Sequence, residues 1–294
     1  MDWRRGKSIL IISFLILNIL LAGRLYFIPE IEMYLSLAGR PSLEAVFYAL
    51  QTHGIATDRE WPRSATRMPF TQVSLRRLAA GEIMTLRQRM LGDQTVPQTE
   101  QVVPTDDKPL SFTAGQRDLV VTARGHVSFH NRAVLPSPGG VSAEEAMRIA
   151  GTFFKTELGN PGDFVFDSVT ALDNASYRVE YVQTFRGHRV FPGYIIIIVQ
   201  GQEVAAMWMS RLNVAFEAGG AKVVLPAAEA VLSLLNHRLN ARVEGQMEIV
   251  DIEFGYHSPI YDAADPSWRG VPVWRIRTKD GVFFINAHSG VLES

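Results

Sequence analysis

Two groups of residues in this chain have the types and spacing to do chemistry. His126 and His130 stand on a segment of alternating polarity, so both rings would face one side of a strand, with Asp118 upstream as a further donor. Such a set suits a weak metal site, but no third ligand stands in register, and two strand histidines are more often partly exposed polar residues. His257, Asp262 and Asp265 share the segment "HSPIYDAADPSWRG", whose types could build an acid–base cluster and equally make a long polar loop. His188 in "FRGHRVF" reads as the solvated tip of a hairpin. The chain has no G-x-S-x-G, no H-E-x-x-H, no glycine-rich phosphate loop and no paired zinc-ligand spacing. The expectation is a protein that is not an enzyme and holds no metal and no cofactor.

Composition narrows the classes further. The absence of cysteine removes disulfides, thiolate metal sites and a cysteine nucleophile. A net charge of −1, with both signs interspersed, leaves no electrostatic footprint for nucleic acid. Nearly half of the residues are hydrophobic, enough for a sizeable core.

The first element along the chain is an apolar run. Residues from Ser8 to Gly23 carry no charge, and with a snorkelling Arg24 the run reaches Ile28. That is about 20 residues, the length of a helix crossing a ~30 Å hydrocarbon core. A cleavable leader needs small residues at alternate positions before the cut; Ala22 meets Leu20 there, and Gly23 meets Leu21. The run is therefore read as an uncleaved anchor over 8–28. Arg4, Arg5 and Lys7 precede it while Glu30 and Glu32 follow, which places residues 1–7 in the cytoplasm and the chain after Ile28 outside the cell membrane. Asn18 lies on one helical stripe with Phe14 and Ala22. A side-chain amide in lipid seeks a partner, so Phe14, Asn18 and Ala22 are a candidate helix-contact stripe.

Beyond the anchor, the pattern predicts an α+β ectodomain. Helices are expected in "LEAVFYALQTHGI", with Gly54 as the stop, and across "SLRRLAAGEIMTLRQRML". Residues 92–109 read as a polar, proline-rich loop, and "DLVVTA" and "HVSFHN" as two strands around Arg124-Gly125. "LPSPGG" at 135–140 marks a boundary. After it comes an internal repeat: "VSAEEAMRIAG" from Val141 aligns with "LPAAEAVLSLL" from Leu225, an offset of 84 that also pairs Asp167 with Asp251. Each copy opens with a helix and continues through strands, an arrangement of small helix-plus-antiparallel-sheet units. The expected organisation is a tail at 1–7, the anchor at 8–28, an N-terminal α+β part at 29–140, and repeats at 141–224 and 225–294. The run "YIIIIVQ" needs cover on both faces, which makes it a central strand or one at an inter-domain contact. Trp268 beside Arg269 in a loop is a candidate exposed interface, because Trp and Arg are enriched where proteins meet.

These residues carry a resemblance. "MDW", the basic residues after it and "IISFLILNILL" with its Asn18, then "YRVEYVQTFRGHRVFPGYIIIIV" and "VWRIRTKDGVFFINAHSGVLE", resemble the YycI (WalI) family. Its members are single-pass accessory proteins of an essential Gram-positive sensor histidine kinase, WalK (YycG). The likeness covers the anchor and residues from about 141 onward; between 55 and 125 little is distinctive. It implies a YycH-like membrane partner, contacts with the kinase's transmembrane helices, control of cell-wall genes, and ectodomain units like PepSY-type domains. The family offers no catalytic residues to carry over. The alternative reading is an extracytoplasmic peptide- or ligand-binding PepSY-like module, including a protease-inhibitory one.

Overall fold

The computed structural model describes residues 14, 42–57, 61–62, 67–92, 103–105, 108–135, 140–173, 175–241, 245–258 and 267–293. Of the expected anchor this leaves Phe14, which is helical and exposed; Asn18 and Ala22 lie outside the described residues. Among the described residues no helix is long and apolar enough to cross a membrane. The chain divides into two compact units, Met1–Ala56 with Glu244–Met247, and Thr57–Val243 with Glu248–Ser294.

In the first unit α1 (Leu43–Thr52) starts at Ser42, whose Oγ accepts from the Ala45 N–H at 3.2 Å and satisfies one of the free N–H groups at the helix start. The helix buries Val46 and Leu50 and ends before Gly54, as its sequence predicts. The short strand β1 (Ile55–Ala56) follows, and the Met247 N–H donates to the Gly54 carbonyl at 3.1 Å.

The second unit begins with β2 (Arg67–Met68), β3 (Thr71–Leu75), α2 (Ala80–Leu91), β4 (Leu110–Ala114), β5 (Arg117–Val121) and β6 (Val127–Asn131). The predicted second helix is shorter than its sequence pattern. Ser74 and Leu75 belong to β3, where Val73 is buried at alternate spacing, and the helix starts only where Glu82 accepts from the Ala79 N–H. Next come α3 (Ala143–Thr156), β7 (Phe164–Ala171), β8 (Ser176–Phe185), β9 (His188–Gln200), β10 (Glu203–Ser210), β11 (Leu212–Phe216) and β12 (Lys222–Val223). The unit closes with α4 (Ala227–Asn240), β13 (Met247–His257), β14 (Ser267–Thr278), β15 (Val282–Asn286) and β16 (Leu292–Glu293).

Strands β4-β5-β6-β10-β9-β8-β7 lie side by side in that order, each antiparallel to its neighbour. Ala146, Ala150 and Phe154 of α3 and Ile83 and Met90 of α2 join Phe129, Val179, Ile195, Ile197, Val199 and Met207 in one apolar core. That core runs across the expected boundary at 135–140, because β6 pairs with β10 from beyond it. The "YIIIIVQ" strand is central, one of the two placements its composition allows. Its two faces differ, however: Ile195, Ile197 and Val199 are fully buried in the core, while Ile196 and Ile198 are half-buried on the other face, where Ile196 stands opposite a partly exposed Trp208.

β13-β14-β15-β16 form a second antiparallel set, and β3 with β11 extends it along the first residues of β14. α4 packs on this set through β14, β15 and β16, with Val231 and Leu234 fully buried. Strand β9 connects the two sets. Strand β8 pairs with β9 on both sides of a break, but the other edge of β9 changes partner: from Tyr194 onward it pairs with β10, whereas Arg189 and Val190 pair in parallel with Gly255 and Tyr256 of β13. Between these stretches Phe191, Pro192 and Gly193 drop out of the ladder, so the strand keeps β8 and exchanges β10 for β13 at a bulge. Two glycines permit the crossing. A Cβ at Gly193 would stand 2.3 Å from Gln183 Oε1, and one at Gly255 would stand 2.6 Å from the Arg189 carbonyl.

Gly255→Ala should therefore destabilise the protein by about 1–3 kcal/mol, since backbone would have to move. Gly281→Ala, whose added methyl meets nothing within 4 Å, should be close to neutral. Urea titration of both variants beside the parent chain measures this; equal midpoints would show that the crossing has room to spare.

Candidate functional site

Charged side chains meet where the two strand sets join. Asp167 occupies a bulge in β7, where the pairing with β8 shifts between Phe166 and Ser168. The bulge re-aims the carboxylate toward three arginines. Arg189 Nη1 donates to Asp167 Oδ1 at 2.7 Å, Arg275 Nη1 to Oδ2 at 2.9 Å, and Arg277 Nη1 reaches Oδ2 at 3.5 Å. Glu253 accepts from Arg189 at 2.9 Å and also from Arg275, and Asp251 accepts from Arg277 at 2.5 Å. Register explains the set: Asp251 and Glu253 stand directly across from Arg277 and Arg275 on the β13–β14 pair. Among the described residues the cluster balances three carboxylates against three guanidinium groups.

The electrostatics follow from burial. Side chains of Asp167 and Arg275 are only 7% and 8% exposed. Burial works against the Asp167 charge, but the hydrogen bonds and charge of Arg275, then the charges of Arg277 and Arg189, outweigh it and hold the carboxyl below the ordinary aspartate value. Burial also opposes the Arg275 charge, and Asp167 and Glu253 overcome it, so that guanidinium is held more firmly protonated than usual. The Phe191 ring lies under Arg275 at 4.4 Å. Above the cluster opens a cleft of about 700 Å³, bordered by Ser168 and Thr170 of β7 and by Lys279, Asp280 and Val282 of the β14–β15 hairpin.

The sequence-predicted residues fall elsewhere. His130 does stand opposite Asp118, but that carboxylate is taken by Arg132 at 3.0 Å and the Thr113 hydroxyl at 2.8 Å, and the His130 ring lies edge-on to Trp208. His126 precedes β6, and burial followed by the Arg124 charge lowers its pKa. Among the described residues no group of three or more His, Asp or Glu side chains is placed to hold a metal ion. His257 stacks on Phe284 with ring centres 4.0 Å apart, and burial pushes its pKa down to about 4; Asp262 and Asp265 lie outside the described residues. His188 is not a solvated tip but a half-buried first residue of β9, edge-on to Phe254 and Tyr256.

The expected exposed pair at 268–269 is corrected in its first member. Trp268 is 9% exposed, because Ser267–Gly270 form a strand against β3 and its ring packs with Val73, Val190 and Leu212. Arg269 on the opposite face remains open to solvent, with its fork on Glu217 at 2.7 and 3.0 Å and its guanidinium over the Phe70 ring. The cluster itself escaped the sequence reading. Its signal was alternating charge, "DIE" at 251–253 facing "RIR" at 275–277, which resembles an ordinary solvated strand face until pairing is known.

Comparisons with known proteins give a family and a fold. The family model described as YycI protein matches residues 50–288. A crystal structure of an uncharacterized protein from Eubacterium rectale ATCC 33656 superposes with a TM-score of 0.55 at 10% identity, covering 82% of this chain and 89% of that one. The Bacillus megaterium YpeB C-terminal domain superposes with a TM-score of 0.45 at 13% identity, covering 74% of this chain and 97% of that one. Comparison with the curated proteins returns no match.

Asp167→Asn should cost about 3–5 kcal/mol at neutral pH, because Arg275 would stay buried without its principal countercharge. Asp167 has a folded pKa below its unfolded one, so its contribution is present above the unfolded value near ~3.9 and fades as pH falls through the folded value. The variant should therefore lose less stability than the parent chain when urea titrations are moved from neutral to strongly acid pH. Matching neutral-pH midpoints for the two proteins would mean that the cluster does not hold the joint.

Proposed function

The chain belongs to the YycI family, and from that premise we propose that it is a membrane-anchored regulator of a two-component sensor histidine kinase that governs cell-wall metabolism. Its role is regulatory and not enzymatic. The observation that carries this reading is the family match over residues 50–288, which runs through the described α+β fold from the last residues of α1 to β15.

The finer mechanism rests on the anchor sequence. The ectodomain docks on a YycH-like single-pass partner outside the cell, and this docking sets the 8–28 segment beside the transmembrane helices of the kinase. Phe14, Asn18 and Ala22 form the contact stripe, with the Asn18 amide as its polar element. A coupling of about 1–3 kcal/mol between anchor packing and the kinase's signalling equilibrium would change output several-fold or more. In the same reading, α3 with β7–β10 and α4 with β13–β16 are two copies of one PepSY-like unit. Support comes from the helices, each of 14 residues and starting at Ala143 and Ala227, the spacing of the sequence repeat, and from the four successive antiparallel strands after each.

Asn18→Leu should alter a reporter of the kinase's target genes several-fold while leaving the amount of membrane-associated protein unchanged. Full-length tagged protein drawn from native membranes in mild detergent should bring down a sensor kinase and a second single-pass protein, and less of the kinase with the variant. An unchanged reporter removes the stripe from the mechanism. Recovery of neither protein, together with a cleaved N-terminus, overturns the regulatory reading.

A further inference from the structure

A second cavity, of about 400 Å³, lies between α3 and the ends of β5, β6 and β10, apart from the charged joint. Its apolar lining comes from Phe129 and Val204, both buried, and from the half-buried Ile149 and Phe153; the rings of Phe129 and Phe153 sit 5.7 Å apart. A pocket of this size with an apolar floor and a few polar groups suits a small ligand or the end of a larger one.

The polar groups are divided by chemistry. On the sheet side stand two donors that the fold leaves unused. Arg117 opens β5 directly across from Asn131, the last residue of β6. The Arg117 guanidinium has no ion pair or hydrogen bond among the described residues, unlike Arg148 across the cavity, whose fork is held by Glu145 at 3.0 and 2.7 Å. Asn131 is 8% exposed, and its Oδ1 accepts from the Ala133 N–H at 3.2 Å. That bond fixes the orientation of the amide and leaves Nδ2 without a partner among the described residues. On the helix and turn side the rim offers acceptors, Glu157 at the end of α3 and Gln202 and Glu203 of the β9–β10 turn.

An ion facing both sides must be anionic at one end only. A planar carboxylate suits a guanidinium and an adjacent amide N–H₂, while the nearby Glu203 disfavours a doubly charged phosphate and favours an N–H on the same ligand. An apolar side chain between these ends would cover Phe129 and Phe153. We propose that this cavity binds the free C-terminal end of a peptide whose last residue is apolar, its carboxylate on Arg117 and Asn131 and its last amide N–H toward Glu203. The site does not depend on the regulatory role, and either can fail alone.

The test uses the full-length protein in lipid nanodiscs, titrated calorimetrically with N-acetyl-Ala-Leu as the free acid and as the C-terminal amide. The acid should bind and the amide should bind about tenfold more weakly, since a charge-assisted pair is lost. Arg117→Gln, at an exposed position, should weaken the acid about tenfold and leave the amide unchanged. Thr152→Trp, which fills the cavity from the exposed side of α3, should abolish binding of both. Arg132→Gln, already engaged by Asp118, should change nothing. Equal binding of acid and amide, an acid affinity indifferent to Arg117→Gln, or no binding of the acid at about 1 mM would each overturn the proposal.

Discussion

A guanidinium taken out of water must find its countercharges, and Arg275 imposes that requirement on most of the second unit. With the side chain 8% exposed, an unpaired charge there would cost several kcal/mol. The requirement fixes the Asp167 bulge in β7, the β13–β14 register that sets Glu253 opposite Arg275, and the placement of Arg189 on β9. Slipping β13 by one residue would send Asp251 and Glu253 to the helix-covered face. Buried ion pairs add little net stability, because desolvation offsets their attraction. The cluster is better understood as selecting one arrangement of the two strand sets, while the apolar contacts of α2, α3 and α4 supply the driving force.

The corner in β9 needs its own support, since a strand leaving a ladder exposes backbone groups of its neighbour. Gln183 meets this need. Its side-chain amide accepts from the Leu212 N–H at 2.9 Å and donates to the Leu212 carbonyl at 2.8 Å, imitating a peptide group where the strand ladder has lapsed. Asp163 accepts from the same amide and from the fork of Arg211, tying the end of β10 to the start of β7. Trp268, Val73, Val190 and Leu212 close the space beneath. Polar and apolar parts of the corner thus brace the same turn of chain.

The elements were largely legible in the sequence; their assembly was not. Capped amphipathic patterns such as Ser142 before "AEEAMRIAG" are local signals, and the α3 helix begins where that signal places it. The strands after each helix were readable for the same reason. Trp268 shows where such reading stops. Its neighbours are polar and loop-like, and only pairing with a segment nearly 200 residues away turns the stretch into a buried strand. The charged joint was hidden likewise: Asp167, Arg189, Glu253 and Arg275 come from four strands, and no window of sequence contains them together. The histidines misled because residue type suggests chemistry, whereas partners decide it. Asp118 had an arginine nearer than any metal ligand set.

The shared strand has a consequence for how the molecule is made. Asp167 and Arg275 lie 108 residues apart, so at bacterial rates of ~5–20 residues per second the arginine follows the aspartate by about 5–20 s. A first sheet formed in that interval would have its bulged carboxylate hydrated and Arg189 and Val190 of β9 without the β13 edge. The joint therefore closes only after nearly the whole chain has been made, a long-range closure that comes late and slowly. Until then the nascent protein must stay soluble with an open strand edge, and the hydrated Asp167 on the neighbouring bulge discourages that edge from pairing with the wrong chain.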